Sequence, residues 1–344
     1  MASRQAVDVT VRGAGIFGLS IAWTCAERGA RVQVIDPHGP GAGSSGGLVG
    51  ALSPHVPESW NEKKAFQLES LLMAADWWQA VEAAGGVASS YARQGRLQPL
   101  ADADAVDIAR RRADTAASLW QGRAVWQVVP VTGAAWEPVA PSGWMVRDTL
   151  SARLSPRLAL PSLLAALAAR GVRVLPEAPE AGLVIHATGV AGLQDLGDAL
   201  GRKVGSGVKG QALALRHAAE TAPQLYVDGL HIVPHADGTV AIGSTSETTW
   251  QTEGPDAALE TLHARAVAAL PVLAGAPVVA RWAGVRPRAV SRAPLLGAWP
   301  GRAGHYVANG GFKIGFGMAP KVAQVMADLV LDGQDRLPDG FRLV

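Results

Sequence analysis

The sequence predicts a mixed α/β fold: a Rossmann-like parallel sheet whose strands come from separate parts of the chain, interleaved with a second, β-rich region. Three observations carry this expectation. The chain starts on an apolar run, a glycine turn, a helical pattern and a second apolar run, all within residues 6–37. A second helix-then-strand pattern occupies residues 155–189. Short apolar runs broken by Pro and Gly fill 125–146 and 211–242, the mark of strands joined by turns. With 344 residues and 49% hydrophobic content, the chain is long enough to fill two cores.

The opening stretch has the order of a dinucleotide-binding βαβ unit. Gly13 permits the tight turn, Gly15 lets the backbone approach a pyrophosphate, and Gly18 lets the helix pack against the strand. The unpaired N–H groups at the helix start face the phosphates, and Asp36 is placed to accept hydrogen bonds from a ribose. An ordinary strand-to-helix turn is the alternative, and the full strand, turn, helix, strand and acid context argues against it.

Composition narrows the partners. The formal charge of +2 spreads 31 basic and 29 acidic residues without a polybasic run, so a nucleic-acid footprint is not expected and a small molecule is. The single cysteine, Cys25, excludes an internal disulfide framework and a cysteine-rich zinc site, fits a reducing compartment, and lies where a helix packs. No metal site is expected. The first strand begins within a few residues of Met1, and no apolar stretch of about 18 or more residues follows. A cytoplasmic protein without an integral membrane segment is therefore expected, with peripheral attachment and oligomerisation left open.

In chain order, the loop after Asp36 is rich in glycine and serine. Ser44 and Ser45 offer hydroxyls that can complete a phosphate cradle, although a flexible surface loop has the same composition. His55 is a candidate for a substrate pocket and equally a structural hydrogen-bonder. The spacing of Phe66, Leu68, Leu71, Leu72, Ala75, Trp78 and Val81 predicts a helix over 61–84. A strand pair is expected over 91–100 and a helix over 102–120, where Arg110, Arg111 and Arg112 mark a solvated face. Ser155 and Pro156 start a helix that Gly171 ends, and strands follow at 172–175 and 182–187. Strands are expected at 211–215, 225–233 and 239–242, a helix at 256–269, strands at 278–287 and 305–308, and a helix at 319–331.

Together, GAGIFGLSIAW with Asp36, the loop GAGSSGGL, the turn HATG at 186–189, HIVPHADGTVAIGST, WAGVRPR and NGGFKIGFGMAP resemble, in the same order, the FAD-dependent D-amino-acid oxidase superfamily. The nearest branches are glycine oxidase and sarcosine-oxidase-like amine oxidoreductases, and the resemblance covers nearly the whole chain. It implies an FAD-binding domain with a mainly parallel sheet from residues 1–82, 150–203 and 283–344, and a substrate-binding domain built on an antiparallel sheet from 83–149 and 204–282. It implies FAD contacts from Gly13, Gly15, Ile16, Phe17, Gly18, Asp36, Pro37, Ser44, Ser45, Gly47, Leu48, Thr188, Gly189, Gly311, Phe312, Lys313 and Gly315. Members typically carry Glu at the position of Asp36, and either carboxylate can bind ribose hydroxyls.

Arg286 matches the arginine that holds the substrate carboxylate in glycine-oxidase-like members, and Lys313 matches a second basic position. For each, a structural salt bridge is the alternative. His55, His231 and Tyr306 are second-rank pocket candidates. With no cysteine near the VRP run, the flavin is expected to be non-covalent. The implied reaction is hydride transfer from the α-carbon of a carboxylate-bearing amine, with oxygen, a quinone or another carrier as the electron acceptor. The competing readings are an NAD(P)-dependent dehydrogenase on the same βαβ unit and a non-catalytic flavin-binding subunit.

Overall fold

The apolar run at the start forms β1 (Val9–Arg12), and the glycine turn leads into α1 (Ile16–Glu27). Strand β2 (Val32–Ile35) returns parallel to β1, with Val9 opposite Val32. The computed structural model describes residues 6–343; residues 1–5 and 344, which the expected domain ranges include, lie outside them. A short strand β3 (Ala51–Leu52) precedes the long helix α2 (Glu62–Gly85). The Asn61 side chain accepts a hydrogen bond from the Lys64 N–H to start that helix, and Gly86, at φ +68°, stops it.

The chain then makes β4 (Arg96–Pro99), α3 (Ala103–Trp120), β5 (Trp126–Pro130) and β6 (Trp144–Asp148). It returns through β7 (Ala152–Arg153), α4 (Pro156–Ala169), β8 (Val174–Leu175), β9 (Leu183–His186) and α5 (Gly189–Leu200). A second excursion gives β10 (Gly205–Arg216), β11 (Gln224–Val227), β12 (Leu230–Pro234), β13 (Thr239–Gly243), α6 (Ala258–Ala269) and β14 (Val278–Ala289). Strands β15 (Leu295–Ala298) and β16 (His305–Asn309) and helix α7 (Gly315–Asp332) follow, and a short turn at Asp339–Phe341 lies beyond them.

Among the described residues two large sheets organise these elements, and β3 pairs antiparallel with β7 in a small third one. The six-stranded sheet has the order β15-β16-β9-β1-β2-β8 and is parallel except for β15 at its edge. Helix α1 buries all but one of its residues because α4 and α7 cover it on the faces the sheet leaves, which is why its sequence is apolar all round. A Cβ on Gly18 would lie 1.9 Å from the Gly13 carbonyl oxygen, so only glycine lets α1 start this close to β1.

The eight-stranded sheet has the order β14-β10-β13-β12-β11-β4-β6-β5. The expected antiparallel pairing holds at every junction but one: β11 and β4 run parallel. That junction joins the two excursions of the chain, and strands not linked by a hairpin are free of its antiparallel constraint. Strand β14 is continuous across residue 283, so the expected boundary there falls inside a strand of this sheet.

Other departures are local. The expected strand at 225–233 is two strands, because Asp228 (φ +47°) and Gly229 (φ +80°) form a tight turn that sets Leu225 opposite Ile232. Only 96–99 of the expected strand pair at 91–100 is a strand. Ser155 stands at the start of α4 without a side-chain cap bond, leaving Pro156 to set the entry. No sequence pattern predicts strand β15 or helix α5.

Candidate functional site

A cavity of about 660 Å³ lies at the carboxyl ends of β1, β2 and β9, the edge where parallel α/β sheets hold ligands. At one end it is built from the glycine turn. Gly13 has φ +103°, and a Cβ there would stand 2.3 Å from the Ala187 carbonyl oxygen. A Cβ on Gly15 would stand 3.1 Å from the Ser45 hydroxyl. That hydroxyl accepts a hydrogen bond from the Ile16 N–H (3.0 Å), which latches the 44–46 turn onto the start of α1. Asp36 accepts from the Ala14 N–H (2.7 Å) and the His38 N–H (2.9 Å), so its carboxylate is fixed by backbone donors at the cavity wall.

Ile16, Phe17, Pro37, Ser44, Gly47, Leu48, Thr188 and Gly189 also line the cavity, and Gly18 does not, being spent on helix packing. The buried His235 ring bonds the Leu48 carbonyl oxygen (2.9 Å), tying the serine–glycine loop to the eight-stranded sheet. Asn309 links two more lining segments: its side-chain amide donates to the Gly189 carbonyl (2.8 Å) and its oxygen accepts from the Gly310 N–H (2.8 Å). Gly311, Phe312, Lys313 and Gly315 follow as lining residues at the start of α7. The Phe312 N–H donates to the Pro287 carbonyl (3.1 Å), which ties this segment to β14.

The other end is assembled from side chains. Trp282, Gly284 and Arg286 alternate onto one face of β14, opposite Ala212, Gly210 and Val208 of β10. A Cβ on Gly210 would lie 1.7 Å from Nη1 of Arg286, so the guanidinium occupies the space that this glycine leaves. Arg286 is 7% exposed, donates to the Thr245 carbonyl (3.2 Å) and lies 6.0 Å from the Trp282 ring centroid. Burial holds Arg286 below its ordinary pKa, against the charge of Glu247, which raises it. Lys313 is lowered by burial and by the Arg286 charge. His231 is held at about 3 by burial and by the charges of Arg96 and Lys313, so its ring is neutral. Tyr226 pairs with it across the β11–β12 hairpin, at 4.8 Å between ring centroids.

Two expected pocket residues do not reach the cavity. His55 is held at the side of α2, where Gln67 accepts from its backbone N–H (2.9 Å) and contacts its ring. Tyr306 sits mid-strand in β16 and packs against the main core. In their place the cavity is lined by Tyr226, Ser244 and Trp282. Trp282 was within reach of the sequence through the two-residue period of the strand that carries Arg286. Tyr226 needed the Asp228-Gly229 turn to be recognised.

Comparison with known proteins agrees with this architecture. The family model described as DAO, FAD dependent oxidoreductase, matches residues 8–329. A putative thiamine biosynthesis oxidoreductase ThiO of Rhizobium etli is 30% identical over 345 residues, spanning 95% of this chain and 97% of that one. Glycine oxidase of Pseudomonas putida is 36% identical over 141 residues, a match that covers 39% of this chain and only 39% of that enzyme's length. The crystal structure of glycine oxidase from Geobacillus kaustophilus superposes with a TM-score of 0.85 at 22% identity, over 98% of both chains. The chain belongs to the FAD-dependent oxidoreductase family.

Proposed function

We propose that this protein oxidises the C–N bond of a small amino acid or carboxylate-bearing secondary amine to an imine, which water then hydrolyses. The observation that carries the reading is Arg286, a buried guanidinium at the cavity wall whose hydrogen bond goes to a backbone carbonyl rather than to a carboxylate. An unpaired buried cation is costly, and a ligand carboxylate offsets that cost with a bidentate pair. The printed names of two relatives, glycine oxidase and ThiO oxidoreductase, support an amine of this kind.

The cavity residues fit FAD. Gly13 and Gly15 offer backbone that a Cβ would block, α1 begins at the cavity, and Asp36 supplies a carboxylate beside it. Bound FAD supplies the two-electron acceptor that no side chain here provides. The chain's own residues then bind and orient the amine. Arg286 and Lys313 hold the carboxylate, Trp282 walls the pocket, and the α-carbon is held in one orientation rather than activated by a strong base. The neutral His231 ring adds no charge to compete for the carboxylate. On the domain ranges expected from the sequence, Trp282 and His231 belong to the substrate-binding part and Lys313 to the FAD-binding part, with Arg286 on β14 beside Trp282.

The test is an anaerobic screen of the FAD-loaded protein with glycine, sarcosine, proline and D-amino acids, followed by air. At least one amine should bleach the flavin band, and its recovery in air reports an oxidase rather than a dehydrogenase. Absence of a flavin band after FAD addition, or no bleaching by any of these amines, overturns the proposal.

A further inference from the structure

Behind Arg286, on the opposite face of the sheet, lies a charged cluster that the cavity does not touch. Successive residues of β10 point to opposite faces: Gly210 faces Arg286, while Lys209 and Gln211 face away. Lys209 has no exposed surface. Its Nζ donates to Asp256 (2.6 Å) and lies 3.5 Å from Glu247. The Gln211 side chain donates to both carboxylates, at 3.0 Å to Glu247 and 2.8 Å to Asp256, and accepts from the Asp256 N–H (2.8 Å).

This cluster continues the pairing of β10 beyond β13. Lys209 and Glu247 exchange two backbone hydrogen bonds of 2.9 Å, and the Gln211 N–H donates to the Thr245 hydroxyl (2.9 Å). The carbonyl of that same Thr245 receives the Arg286 guanidinium. Ser244, one residue before, lines the cavity. The segment that holds Arg286 is thus itself held by Lys209 and Gln211. Two carboxylates and one ammonium also leave a net negative charge behind the guanidinium, and Glu247 is the charge that acts on Arg286. Without the ammonium, the Glu247 charge would act on Arg286 unopposed and compete with an incoming anion.

We propose that Lys209 is a positioning residue for the substrate carboxylate: from behind the sheet it pairs with Glu247, whose carboxylate accepts from the Thr245 hydroxyl, and offsets the charges of Glu247 and Asp256, leaving the guanidinium available to an anion. The inference rests on Arg286 being the carboxylate anchor. It predicts opposite signs for two substitutions. Lys209→Met removes the offset and weakens anion binding, whereas Glu247→Gln keeps the acceptor oxygen for Gln211 and the Thr245 hydroxyl, removes a competing charge and strengthens it.

The experiment titrates the FAD-loaded protein with acetate, reading the perturbation of the flavin spectrum, and uses acetamide as the neutral control. Lys209→Met should raise the acetate Kd about tenfold and Glu247→Gln should lower it about threefold, with acetamide unaffected by either. The double variant should return within about twofold of the wild type, as coupled charges require. With an amine substrate the change should fall on KM and leave kcat in place. A purely structural role for Lys209 would instead lower the melting temperature and FAD content while leaving the acetate Kd of the loaded fraction unchanged, and that result overturns the proposal. Should Lys209→Met not load FAD, Glu247→Gln decides alone: a tighter acetate Kd supports the inference, and an unchanged or weaker one overturns it. Arg286→Lys separates the two levels, because unaltered acetate binding in that variant defeats the anchor reading itself, whatever Lys209 does.

Discussion

At the Asp36 end of the cavity the wall is made of backbone, held by residues near one another in sequence; at the Arg286 end it is made of side chains that meet across strands from distant parts of the chain. Ala14 and His38 bond Asp36, and Ser45 bonds Ile16, all within the first βαβ unit and its loop. Arg286 instead depends on Gly210 of β10, on Thr245 after β13 and on the charges behind them. A backbone site excludes any added Cβ and offers little else to vary. A side-chain site can be retuned one residue at a time, which suits an end that must match a particular amine.

The contrast yields graded predictions. The largest effect belongs to the backbone end. Gly18→Val places atoms on the Gly13 carbonyl oxygen and should cost about 3 kcal/mol or more, with loss of FAD, read by denaturant unfolding and flavin content. A variant that keeps both FAD and stability would break the distinction. At the other end, Gly210→Ala places a methyl where the Arg286 guanidinium lies. It should raise KM for a carboxylate-bearing amine about a hundredfold by misplacing the anchor, while FAD content stays at the wild-type level. Equal losses of FAD and KM would erase the difference between the two ends.

Acid should act next. His186, at the end of β9, is lowered to about 4 by burial and the Arg302 charge, against an ordinary value of 6.5. The folded ring is neutral where the unfolded chain binds a proton, so this ring's contribution to stability is full above pH 6.5 and is lost as pH drops from there toward 4. His186→Gln should flatten this slope, recovering about 2 kcal/mol in urea unfolding at the acid end. An unchanged slope would remove His186 from the acid response. The smallest effect concerns Cys25, fully buried in α1 with its thiol pushed up to about 12 by burial. It should resist thiol reagents until the protein unfolds, and rapid labelling of native protein would show that α1 opens locally.

What the sequence made legible follows the same division. The βαβ unit, the serine–glycine loop and the small residues before α7 were readable because each is a local pattern with a local backbone consequence. Arg286 and Lys313 could be named only through the resemblance of their runs to a family, and that resemblance is silent on what holds them. Gly210 carries no local signal: its importance comes from the register of β10 against β14, which no window of sequence encodes. Asp228 and Gly229 did carry a turn signal, but the apolar residues on both sides outweighed it, and Tyr226 was lost with the turn. His55 and Tyr306 have side chains suited to a pocket, and packing puts both outside the cavity. Among the described residues no helix is long and apolar enough to cross a membrane.

The central claim is that the buried Arg286 receives the carboxylate of an amine whose oxidation reduces bound flavin. Rapid-mixing measurement of anaerobic flavin bleaching against amine concentration, in the wild type and in Arg286→Ala, tests it most directly. The account predicts that the variant retains its flavin band and needs about a hundredfold more amine to half-saturate bleaching. Half-saturation at the wild-type concentration would contradict it.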